Sequence, residues 1–207
     1  MVVDPDEPKL YWPNGQTTYP ETDDPKLVKD GVLLSAGAPA DGIHLLTRDG
    51  VARRVVATSP GNITTMFDVD HGAGDTIVWL EAKEDETGEF HDFSLWASPY
   101  ATSESGVVRR RIPQASEHLA TSFLVANAEM VAMTTTNQQQ ARLIRQSDGA
   151  AWAVPADPDM YFVAPLWVDE HAVWYLTQTN LKAFRASNGL IRVDRSSLGA
   201  PTMPDGS

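Results

Sequence analysis

Short runs rich in Val, Ile, Leu, Trp and Thr follow one another along the chain, broken about every eight to twelve residues by Gly, Pro, Asp and Asn. Helical periodicity is nearly absent. The segment 113–133, PQASEHLATSFLVANAEMVAM, mixes helix formers with β-branched residues and Asn, and it reads as loop and strand. The pattern predicts an all-β chain.

Four segments share a layout of strand, tight turn and strand: IHLLTRDGVARRVV (43–56), FSLWASPYATSESGVVRRRI (93–112), ARLIRQSDGAAWAV (141–154) and LKAFRASNGLIRVD (181–194). Their turn glycines are Gly50, Gly106, Gly149 and Gly189, preceded by Asp49, Ser105, Asp148 and Asn188. Asp-Gly and Asn-Gly supply the positive φ of a hairpin turn without a Cβ penalty. Upstream of each hairpin lies a further apolar run: GVLLSA (31–36), DTIVWLEA (75–82), EMVAMTT (129–135) and HAVWYLT (171–177). Three of these are themselves preceded by a short strand: TTMFDV (64–69), SFLVA (122–126) and APLWV (164–168). The glycines step by 43 and 40 residues after a longer first step of 56, which holds an insertion.

The repeating unit is thus four antiparallel strands in about forty residues, the size of a β-propeller blade. A blade cannot bury its faces alone, so neighbours stack around an axis. Trp79 and Trp174, at matching places in their runs, are expected to pack between blades, and Arg53, Arg109 and Arg192, three residues beyond their turn glycines, to guard outermost strands. The expectation is a propeller or partial propeller of about four to five four-stranded blades over 31–199. Residues 1–30 form an N-terminal extension whose KLYWPNGQTTYP (9–20) offers a ring-closing hairpin at Asn14-Gly15, and 200–207 a flexible tail. An incomplete ring and a β-sandwich remain the alternatives.

AVWYLTQTNLKAFRASNGLIRV, through Val173, Leu181, Ala183 and Gly189, resembles the blade repeat of the quinoprotein-like and TolB-like propellers. The resemblance spans residues 31–194 and implies architecture. Quinoprotein repeats carry an Asp before the turn and a Trp after it; here Trp152 is the one turn tryptophan, and Ala186 stands where the Asp would be. No cofactor is therefore implied.

At 207 residues the chain fits one domain, long enough to bury roughly 70% of the surface its unfolded form exposes. It has no cysteine, which excludes disulfides and thiolate metal sites. Sixteen basic against 28 acidic residues give a net charge of −12, which repels phosphate backbones and anionic lipid, so nucleic acid is not an expected partner. No apolar run reaches the ~20 residues of a membrane helix, and direct membrane insertion is not expected. The opening MVVDPDEPKLYW has neither the basic start nor the apolar centre of a signal peptide. Its VVDPDEP reads as a linker, and an extracytoplasmic location with the export signal removed is the expectation.

Candidate chemistry centres on the insertion EAKEDETGEFHDF (81–93) between the second and third strands of its unit. Glu81, Glu84, Asp85, Glu86, Glu89 and Asp92, with His91 beside the last, make the loop acidic and suited to a basic partner or a divalent ion, or else a solvated hairpin tip. In DVDHGAGD (68–75), Asp68, Asp70 and Asp75 lie close enough to invite a cation, but the glycine at 72 and the missing bidentate Glu depart from an EF-hand loop. In register with VDEHAVW, Asp70 matches Asp169, and both read first as turn residues bonding their own backbone. Tyr161 in VPADPDMYFVAP is a candidate contact residue or a filler of a seam between blades. The five histidines lack metal spacing, and no GxSxG elbow is present.

These features point to a non-catalytic binding platform for a protein or peptide partner, basic in character and engaged by residues 84–92. The alternatives are a propeller enzyme of the glycoside hydrolase or lyase type, with acids from several blades converging on one cavity, and a blade set that completes another chain's ring.

Overall fold

The computed structural model describes residues 2–3, 10–11, 17–18, 25–36, 42–70, 76–99, 109–113, 121–135, 140–155, 159–181 and 185–204. It is all-β; the described residues contain one turn of 3-10 helix, Arg195–Ser197, and no helix long and apolar enough to cross a membrane. Four antiparallel sheets follow one another along the chain. Sheet A holds β4 (Lys26–Val28), β5 (Gly31–Ala36), β6 (Gly42–Thr47) and β7 (Ala52–Ala57). Sheet B holds β8 (Ile63–Val69), β9 (Thr76–Glu84), β10 (Phe90–Pro99) and β11 (Arg110–Arg111). Sheet C holds β12 (Thr121–Ala126), β13 (Met130–Thr135), β14 (Ala141–Arg145) and β15 (Ala151–Val154), and sheet D holds β16 (Met160–Val168), β17 (Ala172–Leu181) and β18 (Arg185–Asp194). A small N-terminal sheet is made of β1 (Val2–Val3), β2 (Leu10–Tyr11) and β3 (Thr17–Thr18); β2 and β3 pair across the Asn14-Gly15 stretch, which itself lies outside the described residues.

Every sheet is a meander in which chain neighbours pair. The local turns explain this at two of the four glycines. Gly50 and Gly149 adopt φ of +86° and +76°, and a Cβ at Gly149 would lie 1.8 Å from the Pro113 carbonyl oxygen. Gly106 lies outside the described residues. Gly189 corrects the expected pattern: β18 runs straight through Asn188-Gly189, with Gly189 opposite Thr177. The ten-residue ladder with β17 overrides the local Asn-Gly preference, so sheet D has three strands instead of a final hairpin. Two further pieces sit where no element was expected. β4 lies within the stretch read as extension, and Thr202, in the stretch read as tail, exchanges two backbone hydrogen bonds with Ala151.

The two-residue period of a strand sends alternate side chains to opposite faces, and each inner strand uses both. Ile77 and Trp79 of β9 join Leu33, Leu45 and Phe67 in a core between sheets A and B. Val78 and Leu80 face the other way, onto Leu124, Val131 and Met133 between B and C. Met130 and Ala132 then meet Phe162, Val173 and Tyr175 between C and D. Phe162 fills that seam, its ring edge-on to Tyr175 at 5.2 Å.

The expected pairing of Trp79 with Trp174 is off by one residue. Tyr175 takes the place of Trp79, facing the preceding sheet, while Trp174 is half-buried on the outer face of sheet D. The turns explain the offset: the Asp70 N–H closes onto Thr76 and the Asp169 N–H onto Ala172, so Thr76 matches Ala172 and Trp79 matches Tyr175, and a shift of one residue exchanges faces. The outer face of sheet A buries Val32, Leu34 and Leu46. The outer face of sheet D instead leaves Trp167 and Leu190 44% and 58% exposed.

Candidate functional site

The C-terminal ends of β8, β12 and β16, with Lys26 at the start of β4, surround a common cavity of about 560 Å³. Among the described residues its charged lining is Lys26, Asp68, Asp70, Glu129, Asp169 and Glu170, five carboxylates with one ammonium. Leu166 and Trp167, both nearly half exposed, form an apolar lip. The turns following β8, β12 and β16 therefore converge although they lie far apart in sequence.

Each carboxylate has a distinct setting. Asp68 is buried; its Oδ2 accepts the Ala126 backbone N–H at 2.9 Å, tying sheet B to sheet C, and Lys26 Nζ stands 3.5 Å from its Oδ1. Asp70 is also buried, and its backbone N–H closes the turn onto Thr76. Asp169 works as a turn cap, its Oδ1 accepting the N–H groups of His171 and Ala172 at 2.7 and 2.8 Å, and these bonds hold its carboxyl below the usual range. Asn127 plays the same part after β12, accepting from Glu129 and Met130. Glu129 is gripped by both terminal nitrogens of Arg195 at 3.0 and 3.1 Å, which lowers its pKa.

Glu129 and Asp169 are held in the charged form. A general acid must retain its proton near neutral pH, and Glu129 and Asp169 are shifted the other way, by Arg195 and by backbone N–H groups. Carboxylates grouped around a partly enclosed space attract an ammonium or guanidinium group, and Trp167 offers it an aromatic face.

The residues singled out from sequence fall elsewhere. Glu84, Asp85, Glu86, Glu89, His91 and Asp92 lie at or beside the turn between β9 and β10, all exposed, and none lines the cavity. Successive turns of a meander lie at opposite ends of the strand between them, so the acidic tip and the turn after β8 sit at opposite ends of β9. The tip is also occupied with itself. Asp85 accepts the Thr87 hydroxyl at 2.6 Å and the Thr87 and Glu89 N–H groups, bonds that lower its pKa. Asp92, at φ +54°, is paired with Lys83 at 2.7 Å and with His91, which also lower its pKa.

Tyr161 lies in β16 opposite Gln178, half-buried and away from the cavity lining. Asp68 and Asp70 do line it, while Asp75 lies outside the described residues; among those residues no group of three His, Cys, Asp or Glu is placed to hold a metal ion.

Lys26, Glu129, Glu170 and Trp167 were not legible as site residues. The one available signal was the matching of Asp70 with Asp169 at equivalent turns, which marks turns that share an end of the stack.

Glu81, counted from sequence with the acidic insertion, is instead fully buried on the side of sheet B that faces sheet A. It accepts from Trp79 Nε1 at 2.9 Å, Arg109 Nη1 at 3.1 Å, the Ser59 N–H at 3.2 Å and Asn62 Nδ2 at 3.3 Å. Arg109 also donates to the Ala57 carbonyl and the Ser59 hydroxyl of the segment leaving sheet A, and lies 4.4 Å over the Trp96 ring. This network clamps A to B and is remote from the cavity lining.

No family model matches the chain, and no curated protein matches it.

Proposed function

We propose that the chain is a non-catalytic binding platform of the β-propeller type, in which sheets A to D are successive blades and the partner is a basic protein or peptide segment engaged at the central cavity. One observation carries the reading: a cavity of about 560 Å³ lined from the first strand of four consecutive sheets, with five carboxylates and an apolar lip. Successive four-stranded meanders that bury both faces of each inner sheet support the propeller part. Recognition is placed at the cavity and not at residues 84–92 because the cavity groups acids from three sheets around one partly enclosed space, whereas residues 84–92 lie on one exposed hairpin tip.

The test is calorimetric titration with an acetylated, amidated oligolysine peptide at low and high salt. Binding should weaken steeply with salt. The pair Asp70→Asn and Glu170→Gln should weaken it about tenfold, the loss of roughly 1.4 kcal/mol of attraction, while Glu84→Gln with Glu86→Gln should not. Absence of binding, or loss only in the hairpin variant, would overturn the proposal.

The exposed face of sheet D, with Trp167, Trp174 and Leu190, favours a second reading in which another chain supplies the next blade. Sedimentation of the isolated chain tests it: association that Leu190→Lys abolishes supports it, and a monomer at all concentrations refutes it.

A further inference from the structure

We infer that the partner segment carries a carboxylate close to its basic group, held in a second cavity that adjoins the central one across Ala128. This rests on the function proposed above and specifies its ligand.

The second cavity, about 430 Å³, is lined by Arg110, Ala128, Glu129, Gln146 and Ser147, and so shares Ala128 and Glu129 with the first. The divider between them is the Asn127–Glu129 turn. At its crest Ala128 is exposed and presents only a methyl group, which leaves room for an extended chain to cross.

The two cavities differ in sign. On the central side Asp68, Asp70, Asp169 and Glu170 face Lys26. On the other side the charged groups among the described residues are Arg110 and Glu129, and Glu129 is already paired by the two-pronged contact from Arg195. Arg110 therefore sets the sign of the second cavity.

The support beneath Arg110 is built. Gln146 is buried; its backbone N–H donates to the Glu129 carbonyl at 2.8 Å, and its side-chain amide donates to the Asn127 carbonyl. Gln146 in turn accepts from Arg110 through its backbone oxygen and its Oε1. A guanidinium has five N–H donors, so two bonds to Gln146 orient the group and leave donors for a carboxylate. A segment crossing Ala128 would thus place ammonium or guanidinium over the acids and carboxylate over Arg110. The carboxylate comes from an acidic side chain or from a chain terminus.

The test uses acetylated alanine–lysine peptides. One is amidated and free of acid, a series carries a single aspartate moved stepwise away from the lysine, and one ends in a free carboxylate. At the best spacing the carboxylate should tighten binding about tenfold over the acid-free peptide. Arg110→Gln should remove that gain without weakening acid-free binding, while Arg110→Lys should restore part of it; circular dichroism checks that the exposed Arg110 variants keep the fold. The aspartate series and the free-terminus peptide separate the two sources of the carboxylate. If the acid-free peptide binds and no carboxylate at any position improves it, or if the gain survives Arg110→Gln, this inference fails alone. If the acid-free peptide does not bind, the proposed function fails with it.

Discussion

Glu81→Ala should be among the most damaging single substitutions in the chain. Removing the carboxylate strips the acceptor from the buried Trp79 indole N–H and from the Ser59 N–H, and it leaves the Arg109 guanidinium facing an apolar seam. Breaking a fully buried ion pair costs about 3–5 kcal/mol. The Arg109 side chain is 32% exposed and can partly rehydrate, so about 2 kcal/mol is the appropriate share. An orphaned buried indole donor adds about 1–2 kcal/mol. The total is about 3–4 kcal/mol, which in a chain of this length lowers the melting temperature by about 10 °C.

Urea unfolding followed by tryptophan fluorescence reads this directly: the midpoint falls while the slope stays constant. Glu81→Gln keeps an oxygen acceptor and the side-chain volume, so its loss should be nearer about 1 kcal/mol. A double-mutant cycle with Arg109→Ala should return a coupling above about 1 kcal/mol. An alanine variant within about 0.5 kcal/mol of the parent would refute the clamp between sheets A and B.

Three more expectations follow from the packing and the charges. Tyr175→Ala should cost about 3–5 kcal/mol, because the ring is fully buried between sheets C and D, whereas Trp174→Ala, on the half-exposed outer face, should cost about 1 kcal/mol; equal losses in urea unfolding would contradict the register described for β17. Gly149→Ala should destabilise by about 2 kcal/mol or more in the same assay, since φ is +76° and the new Cβ would meet the Pro113 carbonyl; a neutral result would mean the turn is built differently. Arg145 grips Asp148 with two nitrogens and pulls its carboxyl from 3.8 down to about 2. The folded state therefore holds this proton less tightly than the unfolded chain, and the contribution is present above about pH 4 and lost as pH falls toward 2. Asp148→Asn should flatten the acid limb of the stability profile in that window and leave the alkaline limb unchanged; an unaltered acid limb would refute the assignment.

Much of the architecture is legible in the strand periodicity and in the turn chemistry at Asp49-Gly50 and Asp148-Gly149, because those preferences are local and nothing distant opposes them. Asn188-Gly189 misleads for the opposite reason: a ten-residue partner strand outweighs two residues of turn preference. The matching of Trp79 with Trp174 fails by one residue because the turns before β9 and β17 differ in length, and a single-residue slip exchanges the two faces of a strand.

The site was less legible still. Charge density drew attention to Glu84–Asp92, where Asp85 is bonded to Thr87 and Asp92 is paired with Lys83 and His91. The cavity acids Asp68, Glu129 and Glu170 come from three different sheets, and only the stacking of those sheets brings them together. Glu81 did carry a readable sign: it continues the alternation of Ile77 and Trp79 toward the core, where a carboxylate needs partners.

We place the recognition surface at the ends of β8, β12 and β16, and not at the acidic hairpin. The most direct measurement is a two-dimensional nitrogen–proton NMR titration of the labelled chain with oligolysine peptide. Progressive shifts are expected in the Trp167 indole and in the Asn127 and Glu129 amides, with Thr87 and Gly88 unmoved. Shifts at Thr87 and Gly88 with Trp167 silent would contradict it.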